Sequence, residues 1–304
     1  MKLSRRQFLK VTGFTLAASA ASDLSWTSKL VNAEEKIPFE SPNGMLVDTT
    51  MCIGCRACEA ACLQQNHLPG QVGDQEELSS TKWTYLDSVK VENGDETLEC
   101  YIRRQCFHCQ DPSCASACPV GALHKTKEGP IVYDSGKCIG CRYCMVACPF
   151  QIPRYEWDKP LPLVTKCIMC IDRIRAGEQP ACSEACPTGA TKFGRRKELI
   201  AEAEERIRKA PDKYVNYVYG KNEVGGTSWL FLASVPFGRL GFPTDVGTRP
   251  LPQLTWNALS KVPGVVVGVG ALLSLISYAN HRGSKGAKGD KEIEVEKKAN
   301  LVEK

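Results

Sequence analysis

Between Cys138 and Pro149 four cysteines stand in the spacing C-x2-C-x2-C-x3-C-P. Thiolates are strong ligands for soft metal centres, and three on so short a loop can wrap one cubane [4Fe–4S] cluster. One helical turn, at about 1.5 Å per residue, then carries the fourth sulfur roughly 6 Å onward, toward a second cluster. Pro149 lacks an N–H and has a fixed φ, so the short helix stops there. A run of this kind needs a partner run elsewhere in the chain.

Three further runs are present. Cys52, Cys55, Cys58 and Cys62 repeat the spacing, and MCIGCRACEAAC matches KCIGCRYCMVAC almost residue for residue. Cys106, Cys109, Cys114 and Cys118 form another copy, with two extra residues between the second and third cysteines. Cys167, Cys170, Cys182 and Cys186 form the fourth, with a longer insert in the same gap. The chain is thus an internal repeat of one small unit. The runs account for sixteen of seventeen cysteines, enough for four cubane clusters, each with four thiolates. Spacing leaves the pairing of runs open, because the third run is equally close to the second and to the fourth.

Zinc ribbons also use paired C-x2-C motifs, but a zinc ion gives no reason for a third cysteine at short spacing followed by x3-C-P. Separate disulfides suit the repeated triplets less well than a cluster does. Cys100 is left over in ECYIRR, where a small apolar core residue is the natural reading. All-cysteine ligation leaves no position open for a substrate. Beside the cysteines there is no nucleophile–base pair, no Gly-rich dinucleotide loop and no nickel or molybdenum ligand set; His67, His108 and His124 stand isolated. These residues define a carrier of single electrons with no catalytic chemistry of its own.

The elements that must position the cysteines are short. Strands are expected at Met45–Asp48, Tyr101–Arg104, Ile131–Asp134 and Leu163–Thr165, before the four runs. Others follow at Gly121–Leu123 and Ala190–Phe193. Strand, cluster loop, one-turn helix and strand make half of a ferredoxin-like module. The predicted class is therefore α+β, with tandem, nested bacterial ferredoxin-like modules over residues 45–195 and a polar surface insertion at 63–98. An extension at 196–235 holds a helix from Lys197 to Ala210, closed by Pro211, an alternating strand at Tyr214–Val218 and a buried strand over Gly225–Leu232. Residues 236–255 read as a Gly/Pro-rich linker.

The two ends concern location. Residues 1–33 carry paired arginines in SRRQFLK, a mildly apolar run and a small-residue site at Val31-Asn32-Ala33, the pattern of a twin-arginine export signal. Residues 34–44 are a linker. Residues 256–280 contain eighteen consecutive uncharged positions, Val262–Ala279, bracketed by Trp256 and Tyr278, and are expected to cross a membrane as one helix. The charged tail 281–304 opens with His281, Arg282, Lys285, Lys288 and Lys291, which places it on the cytoplasmic side. The protein body then lies on the periplasmic face of the cytoplasmic membrane, in contact with lipid. A net charge of +5 makes no case for nucleic acid. Arg56, Lys137, Arg142 and Lys166 fall beside the runs and are candidates to offset cluster charge, or plain surface charge.

The runs, with QCFHCQDPSCASACPVGAL, KCIGCRYCMVACPF and EACPTGAT, resemble the four-cluster iron–sulfur subunits of formate dehydrogenases, dimethyl sulfoxide reductases and membrane-bound hydrogenases. With a twin-arginine leader and one C-terminal membrane helix, the chain is most similar to the HybA-type subunits of periplasm-facing nickel–iron hydrogenases. That resemblance implies four [4Fe–4S] clusters in a nested wiring: Cys52, Cys55, Cys58 with Cys186; Cys167, Cys170, Cys182 with Cys62; Cys106, Cys109, Cys114 with Cys148; Cys138, Cys141, Cys144 with Cys118. It implies the small and large hydrogenase subunits as partners on one side and a quinone-reactive integral membrane subunit on the other. A molybdopterin catalytic subunit, as in formate dehydrogenase, is the alternative. One departure is Leu63 in place of proline after Cys62.

Overall fold

Met45-Leu46-Val47 is an uninterrupted apolar run, and the strand that contains it, β1 (Asn43–Asp48), is buried along almost its whole length, as a central strand must be. The computed structural model describes residues 42–73, 77–93 and 96–280. The expected export signal, most of the following linker and the charged tail lie outside the described residues.

In chain order, β1 leads into the first cysteine loop and helix α1 (Ala57–Gln65). Strands β2 (Tyr85–Asn93) and β3 (Glu96–Arg104) form a hairpin ahead of the second loop and α2 (Ser113–Ser116). Then come β4 (Leu123–Lys125), β5 (Ile131–Tyr133), the third loop with α3 (Tyr143–Ala147), β6 (Arg154–Tyr155) and β7 (Val164–Thr165). The fourth run carries α4 (Ile171–Arg175) and α5 (Ala181–Glu184), and is followed by β8 (Thr191–Arg195), α6 (Arg196–Lys209) and β9 (Trp229–Leu232). Last is α7 (Leu251–Asn280), whose helical pattern breaks at Ser260–Lys261, ahead of Pro263.

The pairing is nested. β1, which enters the first run, pairs antiparallel with β8, which leaves the fourth, in the register Met45↔Phe193 and Val47↔Thr191. The helices of those two runs, α1 and α5, pack on each other, and so do α2 and α3 of the middle runs. Ser113 Oγ fastens the second contact by donating to the Ala147 carbonyl at 2.7 Å. β4 and β5 close the middle module antiparallel.

Proline position decides helix length here. α2, α3 and α5 end within two residues of Cys118-Pro119, Cys148-Pro149 and Cys186-Pro187. With Leu63 after Cys62, α1 continues to Gln65, and Leu63 is buried. The departure from the repeat thus has a direct structural result.

Four sequence expectations are corrected. The 63–98 insertion is not simply surface: β2 pairs with β3 from Tyr85↔Arg104 onward, and Leu78, Lys82, Leu86 and Val91 are buried. The alternation Val89-Lys90-Val91-Glu92 already carried that signal. Tyr214–Val218 is irregular; it hangs on β9 through Val215 N–H to the Ala233 carbonyl, followed by the isolated Tyr219–Phe231 bridge. The expected strand over Gly225–Leu232 shrinks to β9, since positive φ at Gly225 and Gly226 turns the chain first. The 236–255 linker is structured at both ends. Phe237, Leu240 and Phe242 are buried, and α7 starts at Leu251, so the expected span 256–280 begins too late.

These corrections share one cause. Tyr219, Phe231 and Phe242 ring Phe107, the residue after Cys106, with Phe237 behind them against Tyr219 and Phe242, and Phe107 stacks on Phe150 at 4.1 Å. The C-terminal extension is therefore core to the cysteine loops. On the other side of β1, α6 buries Leu199, Ala203 and Ile207 against Leu46 and Leu230. Asp48, fully buried at the end of β1, accepts from Arg206 Nη1 at 3.0 Å and from the Tyr214 hydroxyl at 2.7 Å.

Candidate metal centres

The cysteine loops turn tightly through the left-handed region, at His108, Met169 and Cys170 as well as at glycines. In the two C-I-G-C-R loops, Gly54 and Gly140 have φ of 73° and 69°, and Arg56 and Arg142 follow in the left-handed region. A Cβ on Gly54 would stand 2.7 Å from the Tyr101 ring, and one on Gly140 3.1 Å from the Tyr155 hydroxyl. The tight turns aim N–H groups at sulfur: Gly140 N donates to Cys138 Sγ at 3.4 Å, Met169 N to Cys167 Sγ at 3.3 Å and Ile152 N to Cys148 Sγ at 3.5 Å. Burial raises the Cys118 and Cys186 thiols, but clusters of backbone N–H donors outweigh it and leave both below the ordinary cysteine value. These two are the fourth cysteines of their runs.

The sixteen run cysteines converge in sets that cross the chain. Cys52 neighbours Cys55 and Cys186, and Cys58 neighbours Cys52. Cys62 neighbours Cys170 and Cys182, and Cys167 neighbours Cys62 and Cys170. Cys109 has Cys106, Cys114 and Cys148 around it. Cys144 has Cys118, Cys138 and Cys141, and those same four line a pocket of about 20 Å³ together with Leu123, Tyr133 and Val164. The sets also touch one another: Cys58 neighbours Cys182, Cys167 neighbours Cys106, and Cys114 neighbours Cys144. Cys100 lies apart on β3, paired with Val89, and joins none of them.

Burial pushes the Cys62 and Cys114 thiols up to about 12 and those of Cys144 and Cys148 up to about 11. Thiolates so placed require positive charge nearby. Two buried cations stand among them. Arg103, from β3, sits beside Cys58, Cys62 and Cys182; burial opposes its charge, but those sulfurs hold it protonated. Lys166 acts on Cys114 and Cys148, and its Nζ donates to the carbonyls of Ile131 at 2.5 Å and Cys167 at 3.0 Å.

Of the four basic residues singled out in the sequence, only Lys166 is buried. Arg56 pairs with Glu59 at 3.1 Å, Lys137 with Asp134 at 3.1 Å, and Arg142 lies over the Tyr155 and Trp157 rings. Arg103 was missed, since ECYIRR reads as an ordinary strand. His108, between Cys106 and Cys109, is fully buried and accepts from Ile131 N at 2.9 Å; burial pushes its ring well below the ordinary value, so it packs as neutral imidazole. His67 and His124 join no cysteine set.

This donor set fits iron–sulfur cubanes. All seventeen cysteines are free of disulfides. Among the described residues no three His, Cys, Asp or Glu side chains close on a single point as one ion would require. A cubane holds its thiolates at the corners of a wider tetrahedron, and soft thiolate is its natural ligand.

Comparison with known proteins agrees. Two profiles, each described as a 4Fe-4S dicluster domain, match residues 98–196 and 51–122. The hydrogenase-2 operon protein HybA of Escherichia coli O157:H7 is 34% identical over 332 residues, covering 95% of this chain and 99% of the relative. The iron–sulfur subunit of the nitrate-inducible formate dehydrogenase of Escherichia coli K12 is 36% identical over 235 residues, covering 73% and 79%. A protein of Nitratidesulfovibrio vulgaris is 39% identical over 308 residues, covering 98% and 82%. The chain belongs to the family of ferredoxin-like 4Fe-4S electron-transfer subunits that includes HybA and the formate dehydrogenase iron–sulfur subunits. It is an iron–sulfur electron-transfer subunit with [4Fe–4S] clusters, a mixed α/β fold and one apolar C-terminal helix.

Proposed function

We propose that the chain is a four-cluster relay between a periplasmic nickel–iron hydrogenase and a quinone-reactive membrane subunit. It would have no catalytic site of its own. The sixteen run cysteines hold the clusters in the nested sets 52/55/58/186, 62/167/170/182, 106/109/114/148 and 118/138/141/144. When bound, [4Fe–4S] clusters take up and release single electrons. The observation that carries the reading is the linear order of the thiol sets. Each set has a cysteine near one of the next: Cys58 near Cys182 and Cys62, Cys167 near Cys106, and Cys114 near Cys144.

The ends of that order differ. Residues 247 and 248 hydrogen-bond to Val224 N and Gly225 N, and Gly226 accepts from Gln110 N in the second cysteine loop. The base of α7 is thereby held beside α2 and the third and fourth thiol sets. α7 is long and apolar enough to cross a membrane, and its apolar stretch is exposed throughout. The membrane partner then belongs at this end, where Ile139, Tyr143, Val146, Trp157 and Leu161 are exposed. The catalytic partner belongs at the Cys52 end, where Ile53 is exposed. The paired arginines near the N-terminus and the basic flank after α7 support twin-arginine export, a periplasmic body and a cytoplasmic tail.

HybA, matched along 99% of its length, favours a hydrogenase over a formate dehydrogenase, whose K12 iron–sulfur subunit is matched along 79%. Purification in mild detergent with identification of the co-purifying subunits tests the choice. A nickel–iron large subunit is the expected companion; a molybdopterin subunit in its place moves the chain to the alternative.

A further inference from the structure

Among the described residues Arg103 is the one buried arginine, and sulfur surrounds it. Its side chain leaves β3 and is almost wholly buried. Nε donates to Thr84 Oγ1 at 3.0 Å, and the guanidinium lies 4.9 Å from the Trp229 ring centre. The guanidinium lies beside Cys182, and its Nη1, buried, has no hydrogen-bond partner among the described residues. Among the described residues no carboxylate forms an ion pair with it. Its charge acts on Cys52 and Cys58 of one thiol set and on Cys62, Cys170 and Cys182 of the next.

A buried cation without a carboxylate is costly unless other negative charge meets it, and here only thiolates do. The fork of an arginine can serve two acceptors at once, which a lysine cannot do as well. We infer that Arg103 is an electrostatic bridge between the clusters held by 52/55/58/186 and 62/167/170/182, raising the reduction potential of both. The inference rests on the relay reading. One electron added to either cluster adds one negative charge within reach of one fixed positive charge, so the cation favours the reduced state. Because the one fixed charge lies within reach of both clusters, it raises both potentials, and the two effects add independently.

The test is an anaerobic EPR-monitored redox titration of the purified complex, with iron analysis of each preparation. In Arg103→Gln or Arg103→Met with wild-type iron content, two of the clusters should become harder to reduce. The expected change is tenfold or more in the reduction equilibrium, about 59 mV for one electron. Arg103→Lys should shift less, and Thr84→Val, which removes a tie but keeps the cation, should leave the potentials in place. If both neutral variants fail to load iron while Arg103→Lys loads fully, the charge itself is required and the inference stands. It is overturned if a neutral variant loads with unchanged potentials, if Thr84→Val shifts them equally, or if Arg103→Lys also fails to load. Absence of cubane iron in the wild-type protein would instead sink the relay reading.

Discussion

The Glu59 carboxylate lies 3.3 Å from the Lys82 ammonium, and neither side chain reaches solvent. Glu59 stands on α1 between Cys58 and Cys62, while Lys82 belongs to the insertion that precedes β2. Glu59 also accepts from Leu86 N at 2.6 Å and Gly73 N at 3.2 Å. One carboxylate thus ties the insertion to the helix that carries two thiol ligands. Glu59→Gln removes the negative partner of a buried ion pair and two of the hydrogen bonds that tie the insertion to α1, and should cost about 3–5 kcal/mol. Glu59→Gln with Lys82→Met should cost less than the single change. Thermal unfolding of the iron-loaded protein measures both, and a single variant as stable as wild type would remove the pair from the account.

Replacing Cys141 addresses the thiol set at the α7 end. Cys141→Ala should lower iron from about sixteen to about twelve atoms per chain, one four-iron cube. Cys100→Ser, on β3 and outside every set, should leave it unchanged. Equal losses in the two variants would contradict the assignment of ligands.

Acid should loosen α6 before it disturbs the cysteine loops. Burial works against ionisation of Glu202, but Lys192 Nζ at 2.7 Å and Arg206 Nη2 at 2.6 Å outweigh it and hold the carboxyl below the usual glutamate range. A lowered acid contributes stability that is fully present above the unfolded value and is lost as pH falls through the folded one. The difference in melting temperature between wild type and Glu202→Gln should therefore be present at neutral pH and vanish in acid. A difference independent of pH would assign the effect to packing.

Ending the chain after Pro250 removes α7 while keeping residues 247 and 248, which bond Val224 and Gly225. Membrane fractionation should then find an iron-loaded body in the soluble fraction, since the apolar stretch is exposed and holds no part of the core. Retention in the membrane would show that partners, and not the helix, supply the attachment.

Ligand type and the repeated unit were legible in the amino-acid string, because the C-x2-C spacing and its repeats are set by neighbours a few positions apart. The short strands, the proline stops and α6 were legible for the same reason: each depends on neighbours a few positions away. Which run lies against which was not. It follows from β1 pairing with β8, partners well over a hundred residues apart, and no local pattern encodes that contact. The extension looked like an appendage because Tyr219, Phe231 and Phe242 meet Phe107 only after the chain has folded back. Arg103 looked like an ordinary strand residue, since burial among sulfurs from two distant runs belongs to the assembled fold and not to the residue. Sequence alone pointed to a thiolate conductor; the tertiary structure laid β1 against β8 and buried Arg103 among the thiols, because those placements depend on distances that only folding creates.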